Sequence, residues 1–140
     1  PLLGELEKKR QQLGLEDDVL FLGWVKDAAV RLLPLFDIFF QPSRWEAMSL
    51  VILEAMAAAK PIVATNVGEN AYVLESEKSG LIVEPANVDA MTTALERLVQ
   101  DAGLRDFYGT QAKQMYEKSC TIEKMARKYE QLYLDALSRK

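Results

Sequence analysis

Short apolar runs alternate along this chain with stretches whose apolar residues recur every three or four positions, the pattern of an α/β fold with a parallel sheet. Val19 to Leu22, Asp37 to Gln41, Ile62 to Thr65 and Leu81 to Val83 read as strands. Helical spacing predicts helices from about Leu2 to Leu13, where Gly14 stops it, near Asp27 to Leu33, and from about Leu50 to Ala59. Asn70 to Leu74 reads as a short helix, and three longer ones close the chain. The first of these carries Met91, Leu95, Leu98 and Val99 on one face, and the second Leu104, Phe107, Tyr108 and Met115. The last repeats at Ile122, Met125, Ala126, Tyr129, Leu132, Tyr133, Ala136 and Leu137. Such faces are expected as core or inter-lobe contacts. No repeat, low-complexity segment or long linker divides the chain, so residues 1–140 are read as a single domain.

One carboxylate breaks the pattern. The helix expected from Leu50 is apolar on every side except at Glu54. A helix apolar all round is packed on most of its faces, and burying an unpaired carboxylate costs several kcal/mol, roughly. Glu54 is therefore expected to face a polar partner or an open cleft. Ser49 fits the N-cap position, which puts the amides of residues 50 to 52 at the helix start, where the macrodipole, equivalent to about half a positive charge, favours an anion. Glu54, one turn further in, can accept two hydrogen bonds from adjacent hydroxyls of the kind a sugar or ribose presents. Phosphate at the helix tip and hydroxyls beside Glu54 together describe a nucleotide-sugar.

Composition narrows the choice. With 140 residues, 49% hydrophobic and 27% charged, the chain suits one globular unit with a real core. A net charge of −4 without a basic block makes nucleic acid an unexpected partner. The single cysteine, Cys120, permits no internal disulfide, fits a reducing compartment and is expected as a small packing residue. The most apolar region, residues 19–42, is interrupted by Lys26, Asp27, Arg31 and Asp37, so a soluble, cytoplasmic protein is expected. With no histidine, the chain supplies no His-based nucleophile activation, proton shuttle or His-ligated metal. It also lacks the Gly-x-Gly-x-x-Gly turn of a dinucleotide site. In open parallel sheets ligands bind beyond the carboxyl ends of the strands. Those ends carry Gly23-Trp24-Val25, Pro42 to Glu46, Thr65 to Asn70 and Glu84-Pro85.

Glu46 and Glu54, with seven residues between them and followed by Ala-Met-Ala-Ala-Ala-Lys-Pro-Ile-Val-Ala-Thr, resemble the Glu-seven-Glu motif of the retaining, two-lobed (GT-B) glycosyltransferases of group 1, family 4. Val-Leu-Phe-Leu-Gly-Trp-Val at 19–25, Asp-Ile-Phe-Phe-Gln-Pro-Ser at 37–43 and Lys-Ser-Gly-Leu-Ile-Val-Glu-Pro at 78–85 follow in the family's order, so the resemblance covers most of the chain. It implies a Rossmann-like parallel sheet flanked by helices with a helical C-terminus, the donor-binding C-terminal lobe of such an enzyme. It further implies transfer of a sugar, with retention, from a UDP- or GDP-sugar to a glycan, lipid or small-molecule acceptor. No metal or cofactor is implied, since the nucleotide-sugar is a substrate and backbone amides and cations stabilise the departing diphosphate. Glu46 would be the catalytic residue, orienting the transferred sugar, and Glu54 would anchor the ribose. Ala47, Met48, Ser49, Leu50 and Val51 would line the donor, Val25 would meet the base through its backbone, and Asp27 would lie near the base edge or cap the following helix. Trp24 is expected as a partly buried wall, and Arg44 as a solvated side chain or a charge offered to the donor.

Three departures from the family pattern carry expectations of their own. Ala47-Met48-Ser49 stands where Gly-Phe-Gly is usual, and Ala59 and Gly68-Glu69 where a Gly and a double Gly are common; the first leaves the backbone approachable, with Met as filler. The β-α-β unit that in the family carries a Gly-Arg and a Lys does not precede the first helix here. The chain is therefore expected to be part of a longer enzyme, peripheral at the cytoplasmic membrane face. On this view the sheet lacks its first strands, an N-terminal lobe is a partner, and the chain alone is inactive and prone to self-association. A sugar-nucleotide 2-epimerase on the same architecture and a noncatalytic nucleotide-binding or assembly module are the alternatives.

Overall fold

The computed structural model describes residues 2–138. Its elements run α1 (Leu3–Gln12), α2 (Ala28–Arg31), a 3-10 turn (Leu33–Leu35), β1 (Phe39–Gln41), α3 (Leu50–Ala57), β2 (Ile62–Thr65), α4 (Asn70–Leu74), β3 (Leu81–Val83), α5 (Val88–Gln100), α6 (Ala102–Ser119) and α7 (Ile122–Ser138). The three strands are parallel in the order β1-β2-β3, with Phe39 opposite Ile62, Gln41 opposite Ala64 and Ala64 opposite Ile82. A strand buried on both faces reads as a continuous apolar run, and β2 is that strand: each of its four residues is buried. On one face Ile62 and Ala64 pack with Ile52, Ala55 and Met56 of α3 and Ala112 of α6. On the other, Val63 packs with Leu81, with Ala94 and Leu98 of α5, and with Tyr108 of α6.

The closest helix approach has a glycine behind it. A Cβ on Gly109 of α6 would collide with the carbonyl oxygen of Ala59, in the turn between α3 and β2. Ala59 itself is left-handed (φ 54°). Helix α3 consequently ends at Ala57, two residues before the expected Ala59. A second tie joins the turn between α4 and β3 to helices α5 and α6. Arg97 of α5 donates through Nη1 and Nη2 to the Glu77 carboxylate at 2.9 and 3.1 Å, and the Tyr108 hydroxyl donates to Glu77 Oε2 at 2.8 Å.

Val19 to Leu22 does not form the expected strand. No neighbouring strand stands beside it among the described residues, and extended backbone makes no ladder without a partner. Its contacts are local instead: Val19 N donates to Leu15 O at 3.0 Å, Arg10 Nη1 donates to Val19 O at 2.9 Å, and the Arg10 guanidinium lies 5.5 Å from the centroid of the Phe21 ring. Leu20, Leu22 and Trp24 are exposed, and Trp24, at 86%, is not the partly buried wall expected of it. The strand expected from Asp37 shortens to Phe39–Gln41, and the helix near Asp27 to a single turn followed by the 3-10 turn at Pro34. The closing helices divide by face: Leu98 and Tyr108 are buried, Met91, Leu95, Leu104 and Met115 half-buried, and Val99 and Phe107 exposed, while α1 and α7 bury no residue.

Gly109→Ala should lower the unfolding free energy by about 1–3 kcal/mol, because the Ala59 carbonyl must move; urea denaturation with an unchanged m-value is the check. The Glu77 carboxyl is held below its ordinary range, first by the Arg97 hydrogen bonds and then by Tyr108, against the opposing effect of partial burial. A lowered folded-state value gives stability that is complete above the ordinary glutamate value of about 4.3 and is lost as pH falls through the lowered one. The stability difference between wild type and Glu77→Gln should therefore be constant above about pH 5 and shrink below about pH 4, as followed by urea midpoints.

Candidate functional site

Alternation along β1 puts Phe39 and Gln41 on the same face of the sheet, the one covered by α3. Phe39 packs there as expected of a strand residue. Gln41 places a primary amide where the pattern calls for an apolar group. Its Nε2 donates to Ser49 Oγ at 2.7 Å and to Glu46 Oε1 at 3.2 Å. Ser43 Oγ donates to the same Glu46 oxygen at 2.9 Å, so Glu46, half-buried, is held through one oxygen while Oε2 accepts no hydrogen bond among the described residues. Gln41 Oε1 is sealed from solvent without a donor, a state that costs about 1–3 kcal/mol.

The loop after β2 supports this loop from beneath. Thr65, fully buried, donates from Oγ1 to the Ser43 carbonyl at 2.6 Å, and buried Asn70 donates from Nδ2 to the Thr65 carbonyl at 3.1 Å. Glu69 N donates to Ala47 O at 3.0 Å. Gly68 is left-handed (φ 51°), and a Cβ there would collide with the carbonyl oxygens of both Glu46 and Ala47. Sequence reasoning marked Thr65 to Asn70 as a strand end and Gln41 only as a strand residue, without assigning any of them this supporting role. The signal was available in Gln41 and Thr65, which end apolar strand runs with a polar group.

At the start of α3 one expectation changes. Ser49 occupies the N-cap position with extended backbone (φ −84°, ψ 108°), but its hydroxyl makes no cap, being turned to the Gln41 amide. The first amides of α3 consequently have no side-chain acceptor among the described residues. The helix leaves one stripe open, formed by Leu50 (65%), Val51 and Glu54; Ile52, Ala55 and Met56 are buried, and Leu53 packs against the core beside them. Glu54 is exposed, and its carboxylate has no hydrogen-bond partner among the described residues. It meets the open surroundings expected for it.

Ala47 and Met48 are exposed beside Glu46, as is Arg44, which forms no ion pair among the described residues. Val25 is half-buried and Asp27 exposed, and no hydrogen bond ties either to the Glu46 loop among the described residues. Asp27 precedes α2 in left-handed conformation (φ 54°) without capping it. The structure therefore brings together Glu46, Ala47 and Ser49 at the start of α3, while Val25 and Asp27 stand just before α2, which itself contacts α3. The cavity of about 390 Å³ lined by Asp37, Lys60, Pro61 and Arg105 lies at the other end of the sheet, before β1 and β2.

Gly68→Ala should push the Glu46–Ala47 backbone away and weaken the Glu69 N–H bond to Ala47. Faster hydrogen exchange at Glu69, with protection in β2 retained, is the expected result.

The family described as glycosyl transferases group 1 matches residues 2–115 of this chain. An uncharacterized glycosyltransferase of Methanocaldococcus jannaschii is 36% identical over 115 residues, spanning 81% of this chain and 30% of that protein. The UDP-Gal:alpha-D-GlcNAc-diphosphoundecaprenol alpha-1,3-galactosyltransferase of Escherichia coli is 29% identical over 140 residues, 99% of this chain and 36% of that protein. The crystal structure of the C-terminal domain of a glycosyl transferase group 1 family protein (LpcC) from Francisella tularensis superimposes with a TM-score of 0.78 at 27% identity, over 85% of this chain and 62% of that one. The chain spans about a third of the length of the curated relatives it matches. With its three parallel strands, flanking helices and helical end forming a partial Rossmann-like lobe of the GT-B type, the chain belongs to the glycosyl transferases group 1 family.

Proposed function

We propose that residues 1–140 are the donor-binding part of a retaining, family 4 glycosyltransferase that moves a sugar from a UDP- or GDP-sugar to a glycan or lipid acceptor. The observation that carries this is the pairing of a carboxylate held by one oxygen, Glu46, with an uncapped helix start three residues later. The amides that begin α3 offer the donor diphosphate hydrogen-bond donors and the positive end of a helix dipole. Charge grows on that diphosphate as its bond to the anomeric carbon breaks and the acceptor oxygen bonds to the same face of the sugar, the hydroxyl proton passing to the departing diphosphate. Donors already in place then stabilise the transition state more than the ground state. Glu46 presents its free oxygen to the transferred sugar, and Glu54, exposed one turn into α3, takes the ribose hydroxyls. Ala47, Met48, Ser49, Leu50 and Val51 line the donor between them, with Val25 and Asp27 at the base.

A UDP-sugar is the first donor to try, because the galactosyltransferase relative is named for one. No cofactor enters this scheme. An N-terminal lobe of the longer enzyme supplies the acceptor site. No helix among the described residues is long and apolar enough to cross a membrane, and a lipid acceptor would be met from the membrane surface.

Saturation-transfer NMR of the chain with UDP, GDP and ADP should show one nucleotide binding. Glu54→Gln should lose the ribose signals and weaken binding by about tenfold or more, the value of hydrogen bonds to a charged group. A chain with well-dispersed amide signals that binds none of the three would refute the donor assignment.

A further inference from the structure

Gln41 is a polar side chain in an apolar strand position, beside Ala64 and two residues beyond core-packed Phe39. Its amide nitrogen touches both ends of the candidate site: the Glu46 carboxylate at 3.2 Å and the Ser49 hydroxyl at 2.7 Å. Its oxygen, Oε1, is sealed in without a partner. Turning the amide over would exchange nitrogen for oxygen and set Oε1 against the Glu46 carboxylate, two acceptors facing each other. The side chain is thus committed to one orientation, and the unfilled acceptor is the consequence.

We propose that Gln41 is a positioning residue of the donor site, fixing the sugar-facing carboxylate of Glu46 and the phosphate-facing start of α3 in one arrangement through a single amide nitrogen. The amide that holds Glu46 also holds the Ser49 hydroxyl through its second N–H, and so turns it away from the helix amides meant for the diphosphate. This rests on the donor-binding reading above. A core-filling role alone would be met by any side chain of equal length, whereas a positioning role needs the N–H donors.

Gln41→Met keeps length and volume but removes those donors. Calorimetric titration of wild type, Gln41→Met, Glu46→Ala and the double variant with UDP and with UDP-galactose separates the two roles. UDP-galactose should bind wild type more tightly than UDP, and Gln41→Met should lose most of that sugar-dependent advantage, as Glu46→Ala does. The double variant should lose no more than either single one, the non-additivity of groups acting as a unit. A wild-type ratio in Gln41→Met, or independent losses that multiply in the double variant, would overturn the proposal. If wild type binds neither probe, donor binding fails as a reading, and the geometric part is decided in the free chain by the 1H–15N signals of the Gln41 side-chain amide. A shift of those signals in Glu46→Ala upholds the amide–carboxylate tie, and unmoved signals refute it.

Discussion

The rest of the structure depends on the complete burial of β2. Ile62 to Thr65 pairs with a strand on each edge and meets helices on each face, so no atom of its side chains has an alternative to protein contact. Both core clusters take residues from it in alternation, Ile62 and Ala64 for one and Val63 for the other. A one-residue slip would exchange the two sets. Burial also reaches one residue beyond the apolar run, to Thr65, whose hydroxyl must find an acceptor inside the protein. It finds the carbonyl of Ser43, and through it the loop that bears Glu46. Core packing and site geometry therefore meet at a single hydroxyl.

From that point the site is built by polar groups that end strands and by glycine at the closest approach. Gln41 and Thr65 leave their strands pointing at the same loop, Gly68 lets that loop lie against the next one, and Asn70 ties the start of α4 to the end of β2. None of these residues needs to touch a ligand to matter. What they establish is that Glu46 and the first turn of α3 occupy fixed positions relative to each other, the condition under which hydrogen-bond donors stabilise developing charge without reorganising.

Away from β2 the apolar surface has less to do within this chain. Helices α1 and α7 bury no residue, and Leu20, Leu22, Leu50 and Val51 are exposed. The apolar repeat of α7 is as regular as that of α5, whose Ala94 and Leu98 lie in the core. The difference is the presence or absence of a facing partner, which regularity of pattern does not report.

The chain's own sequence determined the elements, their parallel α/β arrangement and the pair Glu46 and Glu54. These follow from local signals: apolar runs of strand length, helical spacing, Gly14 as a stop, and two carboxylates in an otherwise apolar stretch. It also limited the chemistry these residues supply, since no His-based step comes from a chain without histidine. Tertiary structure decided what each polar group does, because a hydrogen bond between residues as distant as Ser43 and Thr65 leaves no periodic trace. It turned the Ser49 hydroxyl from the helix to Gln41, left Asp27 without a cap to make, and left Val19 to Leu22 without a ladder. A strand or a cap is completed by what lies opposite it, and only the folded chain brings that partner into place or withholds it.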